Sequence, residues 1–357
     1  MKILIIGFAK IKYMPYLDLY LENLDRENND IHLIYWNRDL KEENLSKLEG
    51  ITLHEFSSFQ EDEVAKLEKL ENFKKFRDFA VSVLKEKFDF IIVLHSLPGV
   101  LLSRELVSGY KNRFIFDYRD FTYENFLPYK SIIHTLVNNS YKTFVSSDAF
   151  RAFLPNNKKI HTSHNISTRD IENQRSIEKA QSPKIRIGFW GFIREEKTNL
   201  EIIKRLTNDE RFELHYYGRE QDVCKALKKA TTDSAQNVYF HGEYTPDEKI
   251  NFVKNTDLIH NIYGDSNMNL AVSNKYYDGL VFEIPQLVMK NSYMGVLVSN
   301  NGIGKVVNPK DEAFADEVYE YYKSINQAKF KRNCREALER VKAQQSTVTD
   351  IVKNLKE

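Results

Sequence analysis

The sequence predicts an α/β protein built of two doubly wound, Rossmann-like domains. Three observations predict it. At 357 residues the chain is long for one hydrophobic core. Short runs rich in Ile, Val, Phe and Tyr alternate with longer amphipathic stretches, the pattern of a parallel sheet covered on both faces. The second half repeats this plan after a polar interval, "STRDIENQRSIEKAQSPK", that ends at Pro183.

In the first domain the strand candidates are Lys2–Gly7, Ile31–Trp36, Ile51–Glu55, Phe90–His95, Arg113–Asp117 and Thr143–Ser146. The main helix candidate is "EDEVAKLEKLENFKKFRDFAVSVLKEKF". There Val64, Leu67, Leu70, Phe73 and Phe76 recur near the helical period. In the second domain the strand candidates are Ile185–Trp190, Phe212–Tyr217, Val238–His241, Leu258–Tyr263, Gln286–Met289 and Gly304–Val307. Two helices carry start signals. Thr198 precedes Glu201 as in a capping box, and Thr245, Pro246 and Glu248 make a second. The expected boundaries are residues 1–165, a linker at 166–183, residues 184–340, and a helix at 341–357 packing back on the first domain.

Composition narrows the function. Hydrophobic residues are 42% and charged residues 29%, a folded globular balance. Lys and Arg number 52 against 51 Asp and Glu. A net charge of +1 argues against a nucleic-acid partner. Cys224 and Cys334 fit no metal-ligand spacing and point to a reducing compartment. No apolar run reaches the roughly 18–20 residues that span a bilayer. The opening "MKILIIGFAK" returns to charge without a cleavage site. These features predict a cytoplasmic protein. The basic-aromatic stretches "FKKFRDF" and "YKSIIHTLV" read first as solvated helix faces and leave open a peripheral contact with anionic lipid at the inner face of the membrane.

Two such domains imply a ligand site in a cleft between them, outside the carboxyl ends of the strands. The informative residues are therefore those directly after strands. "GFWGFIREEKTNLE" places Gly191 before a charged loop with Arg194 and Lys197, then a helix start. That order suits an anion, because a helix N-terminus offers free N–H groups and partial positive charge. An ordinary strand–helix turn reads the same way. "YYGRE" offers Tyr217 and Gly218 to a nucleobase, and "HGEYTPDE" offers Glu243 and Tyr244. Each is equally a plain turn.

"SNKYYDGLVFEIPQLV" is more telling. Ser273 reads as a cap, with Asn274 and Asp278 at i and i+4 and Lys275 in the first turn. A lysine there is poorly matched to the helix dipole unless an anion waits. Asp278 could accept from sugar hydroxyls, or form a surface pair with Lys275.

In the first domain His95 follows one strand, and "DYRDFTYEN" follows another with Asp117, Arg119 and Asp120. Asp120 and His95 are the candidate catalytic residues, able to orient a hydroxyl or take its proton; His95 equally reads as a satisfied histidine at a strand end. Asp117 and Arg119 read as an internal salt bridge. The loop "GFAKIKYMPYL" lacks a GxGxxG run, which argues against a dinucleotide redox site. No cluster of ligands suggests a metal, so no metal and no cofactor is expected.

The second half resembles the donor domain of GT-B glycosyltransferases, most similar to the family 4-like enzymes of bacterial capsule and surface polysaccharide assembly. The resemblance rests on "IRIGFWGFIREEKTNLEII", "YYGRE", "NVYFHGEYTPDEKINFVKNTDLIHNIY", and the order Asn274, Lys275, Asp278, Pro285. It implies a GT-B fold with two Rossmann-like domains facing a cleft. It implies transfer of a sugar from a nucleotide diphosphate sugar to a hydroxyl of a glycan or lipid-linked acceptor, without a metal. Carried over, Gly191, Arg194, Lys197 and Lys275 would meet the diphosphate. Asp278 and Asn274 would meet the ribose, and Tyr217, Gly218, Glu243 and Tyr244 would frame the base.

The chain departs from the family at four places. Asp278 stands for the usual Glu, Glu283 for the glycine before the proline, Leu270 for an upstream acid, and Phe192 for a basic residue. Two other readings remain: a GT-B relative that binds nucleotide sugars or glycans without catalysis, and a nucleotide-sugar epimerase.

Overall fold

A computed structural model describes residues 1–60, 64–166, 170–171, 180–218, 222–231, 236–245, 247–264 and 267–355. The chain divides into two compact units, Met1–His164 with Ala343–Glu357, and Asn165–Lys342.

The first unit holds β1 (Lys2–Ile6), β2 (Asp30–Asn37), β3 (Thr52–Ser57), β4 (Phe90–Leu94), β5 (Phe114–Tyr118), β6 (Lys142–Val145) and β7 (Ile160–Thr162). They form one sheet in the order β3-β2-β1-β4-β5-β6-β7, with every pairing parallel. The second unit holds β8 (Ile185–Trp190), β9 (Phe212–Tyr217), β10 (Val238–Phe240), β11 (Leu258–Asn261), β12 (Gln286–Met289) and β13 (Gly304–Val307). Its order is β10-β9-β8-β11-β12-β13, again parallel. Each sheet reverses direction of growth beside its first strand, at β1/β4 and at β8/β11. Such switch points are where open α/β sheets bind ligands.

Parallel pairing explains the apolar runs. Strands covered on both faces bury consecutive side chains, and Ile3 to Ile6 and Phe90 to Leu94 are all buried. Each fully buried Ile or Phe side chain contributes roughly 1.5–3 kcal/mol. All twelve expected runs contain strands. The thirteenth strand, β7, was not foreseen, because three residues give no periodicity to read.

Helix boundaries and faces differ from expectation. The long first-unit helix spans Lys66–Leu84 and buries Asn72, Phe76, Ala80 and Val83, a stripe at helical spacing. Leu67 and Leu70 are 82% and 62% exposed, because the first turns run beyond the part that packs on the sheet. The helix expected to be capped by Thr198 starts earlier, at Glu196, with Glu195 in the left-handed conformation as its cap. Lys197 thus lies in the first turn rather than in a loop. The helix expected from Thr245 is Lys249–Val253. Half of its capping box forms all the same: the Thr245 N–H donates to Glu248 Oε2 at 2.6 Å. Pro246 lies outside the described residues.

The C-terminal helix is continuous over Gln327–Lys353. Phe330, Cys334 and Leu338 join a core of the second unit, while Val348 and Val352 join a core of the first with Ile3 and Ile5. Among the described residues no helix is long and apolar enough to cross a membrane.

Candidate functional site

In the second unit the site is built on the turn after β8. Gly191 has φ +111°, and a Cβ there would meet open space. Only glycine holds this turn without strain, and it leaves room at its own Cα. Gly218 serves a different end. A Cβ on it would lie 1.8 Å from the Gly191 carbonyl oxygen, so its missing side chain admits the neighbouring loop rather than a base.

The loop that follows is held from beneath. Buried Asn199 donates to the Arg194 and Glu195 carbonyls and accepts from Tyr216 Oη and His260 Nε2, both at 2.9 Å. His260 Nδ1 accepts the Ile262 N–H, so the proton sits on Nε2. Burial, and then the Lys275 charge, push this histidine down to about 3. Arg194 is exposed and lies over the Phe192 ring. Lys197 is also exposed and lines a cavity of about 620 Å³ at the ends of β12 and β13. Lys290, Lys310, Glu195 and Gly264 share that wall.

Lys275 departs most from a surface reading. Ser273 occupies the cap position, but its hydroxyl donates to Asn261 Oδ1 instead of capping. Lys275 follows in the first turn and is 4% exposed. Its ammonium donates to Tyr263 Oη at 2.6 Å and to the Trp190 carbonyl at 3.3 Å, and it sits 4.1 Å from the Phe189 ring centroid. Among the described residues it forms no ion pair. Its partners among the described residues are neutral, so this cation, at the positive end of a helix, carries a desolvation cost that no anion among them offsets. It also lies at the β8/β11 switch, and Tyr263 leads directly into Gly264 on the cavity wall.

Asp278 does not pair with Lys275. It is buried, accepts the Trp190 indole N–H at 2.6 Å, and bonds Lys249, which also holds Asp170 at 2.8 Å. Burial pushes its carboxyl above the usual range, while Lys249 pulls it down. Asn274 is exposed and does not share this buried face. Tyr217 has no free face for a nucleobase. His241 and Phe252 both stack on it with centroids at 4.2 Å and planes within 18°. Tyr244 packs edgewise on Phe252, and burial pushes its hydroxyl up to about 12. Glu243 is exposed.

In the first unit His95 follows β4 with φ +82° and occupies the cap position of the helix Ser96–Leu101. Its Nδ1 lies 3.1 Å from Asp120 Oδ2, and its Nε2 bonds Tyr16 Oη. An acid on Nδ1 fixes the proton there and leaves Nε2 as the acceptor. Tyr16 rests on the Arg119 guanidinium, which pairs with buried Asp117 at 2.7 Å. The expected Asp117–Arg119 salt bridge is thus present and supports the His95 group from below. Burial pushes the Tyr16 hydroxyl up. Tyr16, Trp190, Lys249, Asn199 and His260 were missed by sequence reasoning. Each acts through partners far away in the chain, such as Trp190 and Asp278, 88 positions apart.

Glu283, where the resembled family has glycine, has φ +50°. Arg335 at 2.9 Å holds its carboxylate.

No family model and no curated protein matches the chain. Solved structures do. A glycosyltransferase from Rickettsia africae has 13% identity and TM-score 0.70, covering 99% of this chain and 97% of that one. The Anabaena protein HepE in complex with UDP-glucose has 14% identity and TM-score 0.67, covering 99% and 100%. The N-terminal domain of Candida albicans trehalose-6-phosphate phosphatase has 13% identity and TM-score 0.70, covering 99% and 97%. At such identity the likeness shows the fold, which is two parallel-sheet α/β domains of the GT-B type.

Proposed function

We propose that the protein is a glycosyltransferase that binds a nucleotide diphosphate sugar on its second unit and passes the sugar to a hydroxyl acceptor held by the first. The observation that carries this reading is the buried ammonium of Lys275, which pairs with no acid among the described residues, at the β8/β11 switch. A diphosphate supplies the missing negative charge. Gly191 gives it room, and Lys197, with Arg194 close by in the chain, adds charge at the adjoining helix start. These groups would also stabilise the diphosphate as it leaves.

His95, held by Asp120, would take the acceptor proton at Nε2, where the acceptor hydroxyl replaces Tyr16 Oη. This step needs no metal. The complex of HepE with UDP-glucose supports a nucleotide sugar as the donor class. A glycan or lipid-linked acceptor in surface polysaccharide assembly, a cytoplasmic setting and a peripheral membrane contact belong to the same proposal. Asp278 is saturated by Trp190 and Lys249, so ribose binding there requires Lys249 to yield. That saturation favours, as a second reading, a non-catalytic GT-B relative whose ligand is a glycan rather than the nucleotide sugar.

A thermal-shift panel of UDP, GDP, TDP and CMP and their sugars tests the proposal. A ligand at a hundred times its Kd adds about 2.7 kcal/mol. One of these donors should raise the melting midpoint; if none does, the transferase reading is lost.

A further inference from the structure

At the opposite end of the first sheet, away from His95, two histidines from neighbouring strands face each other. His32 lies on β2 and His54 on β3. Their rings stack at 5.1 Å with 17° between planes, and His32 Nδ1 is 2.8 Å from His54 Nε2. Glu86, just past the long helix, brings Oε2 to 3.9 Å from His32 Nδ1. The three ligand atoms lie within 4.8 Å of one another.

A second feature points the same way. On the far side of the His32 ring, Nε2 is 3.2 Å from Asp30 Oδ2. That contact fixes the proton on Nε2 and turns the Nδ1 lone pair toward His54 and Glu86. A histidine whose second nitrogen donates to a carboxylate is the usual support of a metal-bound imidazole.

We propose that His32 Nδ1, His54 Nε2 and Glu86 form a site for a divalent transition metal of the zinc class, with Asp30 positioning His32. Two imidazoles and one carboxylate suit Zn²⁺ or Co²⁺; Mg²⁺ and Ca²⁺ take oxygen shells. At metal–ligand distances of about 2.0–2.1 Å, tetrahedral ligand atoms stand roughly 3.3 Å apart. The histidine nitrogens must therefore separate slightly and the Glu86 carboxylate must close in.

Glu86 is exposed and can move, and His54 is half-buried, so the ion has an entry path. Lys2 competes: its ammonium holds Glu86 Oε2 at 2.8 Å. The bound ion would tie β2, the outermost strand β3 and the turn before β4 together. The site lies at the amino ends of the strands, so it is structural and independent of the transfer chemistry.

Cobalt titration of the full-length protein after chelator dialysis tests the site. One equivalent should produce the visible absorption of low-coordinate Co²⁺. Zn²⁺ should displace it, and Mg²⁺ should not. His54→Ala and Glu86→Gln, both at positions not fully buried, should remove the saturable band. Asp30→Asn should weaken binding about 10–100-fold. Lys2→Met should tighten it, because the competing cation is gone. Absence of a one-equivalent endpoint, or equal affinity in wild type and His54→Ala, overturns the proposal.

Discussion

At the carboxyl ends of its strands the second unit buries Lys275, Asp278 and His260, whereas the first leaves His95 and Asp120 partly open above a buried Asp117–Arg119 pair. Lys275, Asp278 and His260 are at most 5% exposed. In the first unit the His95 and Asp120 side chains are 24% and 61% exposed. Burial makes charge expensive, so a buried cation selects strongly for an anion that can reach it. The partly open His95 is reachable by an incoming hydroxyl, which must displace the buried Tyr16 hydroxyl from Nε2. On the proposed function the two sites divide the work: the second unit holds a fixed anion and the first handles a variable acceptor.

The comparison can be broken from either side. The largest effect is expected in the first unit. His95→Asn should lower sugar transfer about 10²–10⁴-fold and leave nucleotide affinity unchanged. Steady-state kinetics beside calorimetry read both quantities. If nucleotide affinity falls instead, the division of labour is wrong.

The next effect sharpens the second unit through pH. Folding keeps His260 neutral until about pH 3, whereas the unfolded chain takes up its proton near 6.5. The stability it contributes is therefore complete above 6.5 and lost as pH falls toward 3. Between about pH 7.5 and about pH 4.5 the loss is on the order of 2–3 kcal/mol. His260→Gln should flatten the fall of melting midpoint over that range. An unchanged pH profile would show that His260 is not held neutral.

The smallest effect concerns Glu283. Relief of left-handed backbone strain, roughly 1 kcal/mol, offsets loss of the partly exposed pair with Arg335. Glu283→Gly should stay within about 1 kcal/mol of wild type by thermal unfolding. Glu283→Val, which keeps the strain and loses the pair, should fall roughly 1–2 kcal/mol below it. Equal midpoints for the two variants would remove the strain argument.

The sheets were legible because buried parallel strands write their burial into consecutive residues. β7 was not, for want of length. Within the site, Lys275 was legible as a misplaced charge, since a first-turn lysine conflicts with the helix dipole. The partners of Asp278 were not legible. Trp190 and Lys249 reach it from elements distant in sequence, and neither carries a local signal. Tyr217 misled for the same reason: its two stacking partners come from the residue after β10 and from the helix that follows. Glu283 stood out in sequence, but only the backbone shows why a glycine would be expected there.

The central claim is that Lys275 is a buried charge kept for an anion. Lys275→Met tests it most directly, with affinity for the best-stabilising nucleoside diphosphate and melting midpoint measured on the same protein. Replacing a buried charge that has no ion-pair partner among the described residues by an apolar side chain of similar length should hold or raise the midpoint. Affinity should fall at least 100-fold, about 2.7 kcal/mol. Unchanged affinity with a lowered midpoint would contradict the account and make Lys275 a structural strut.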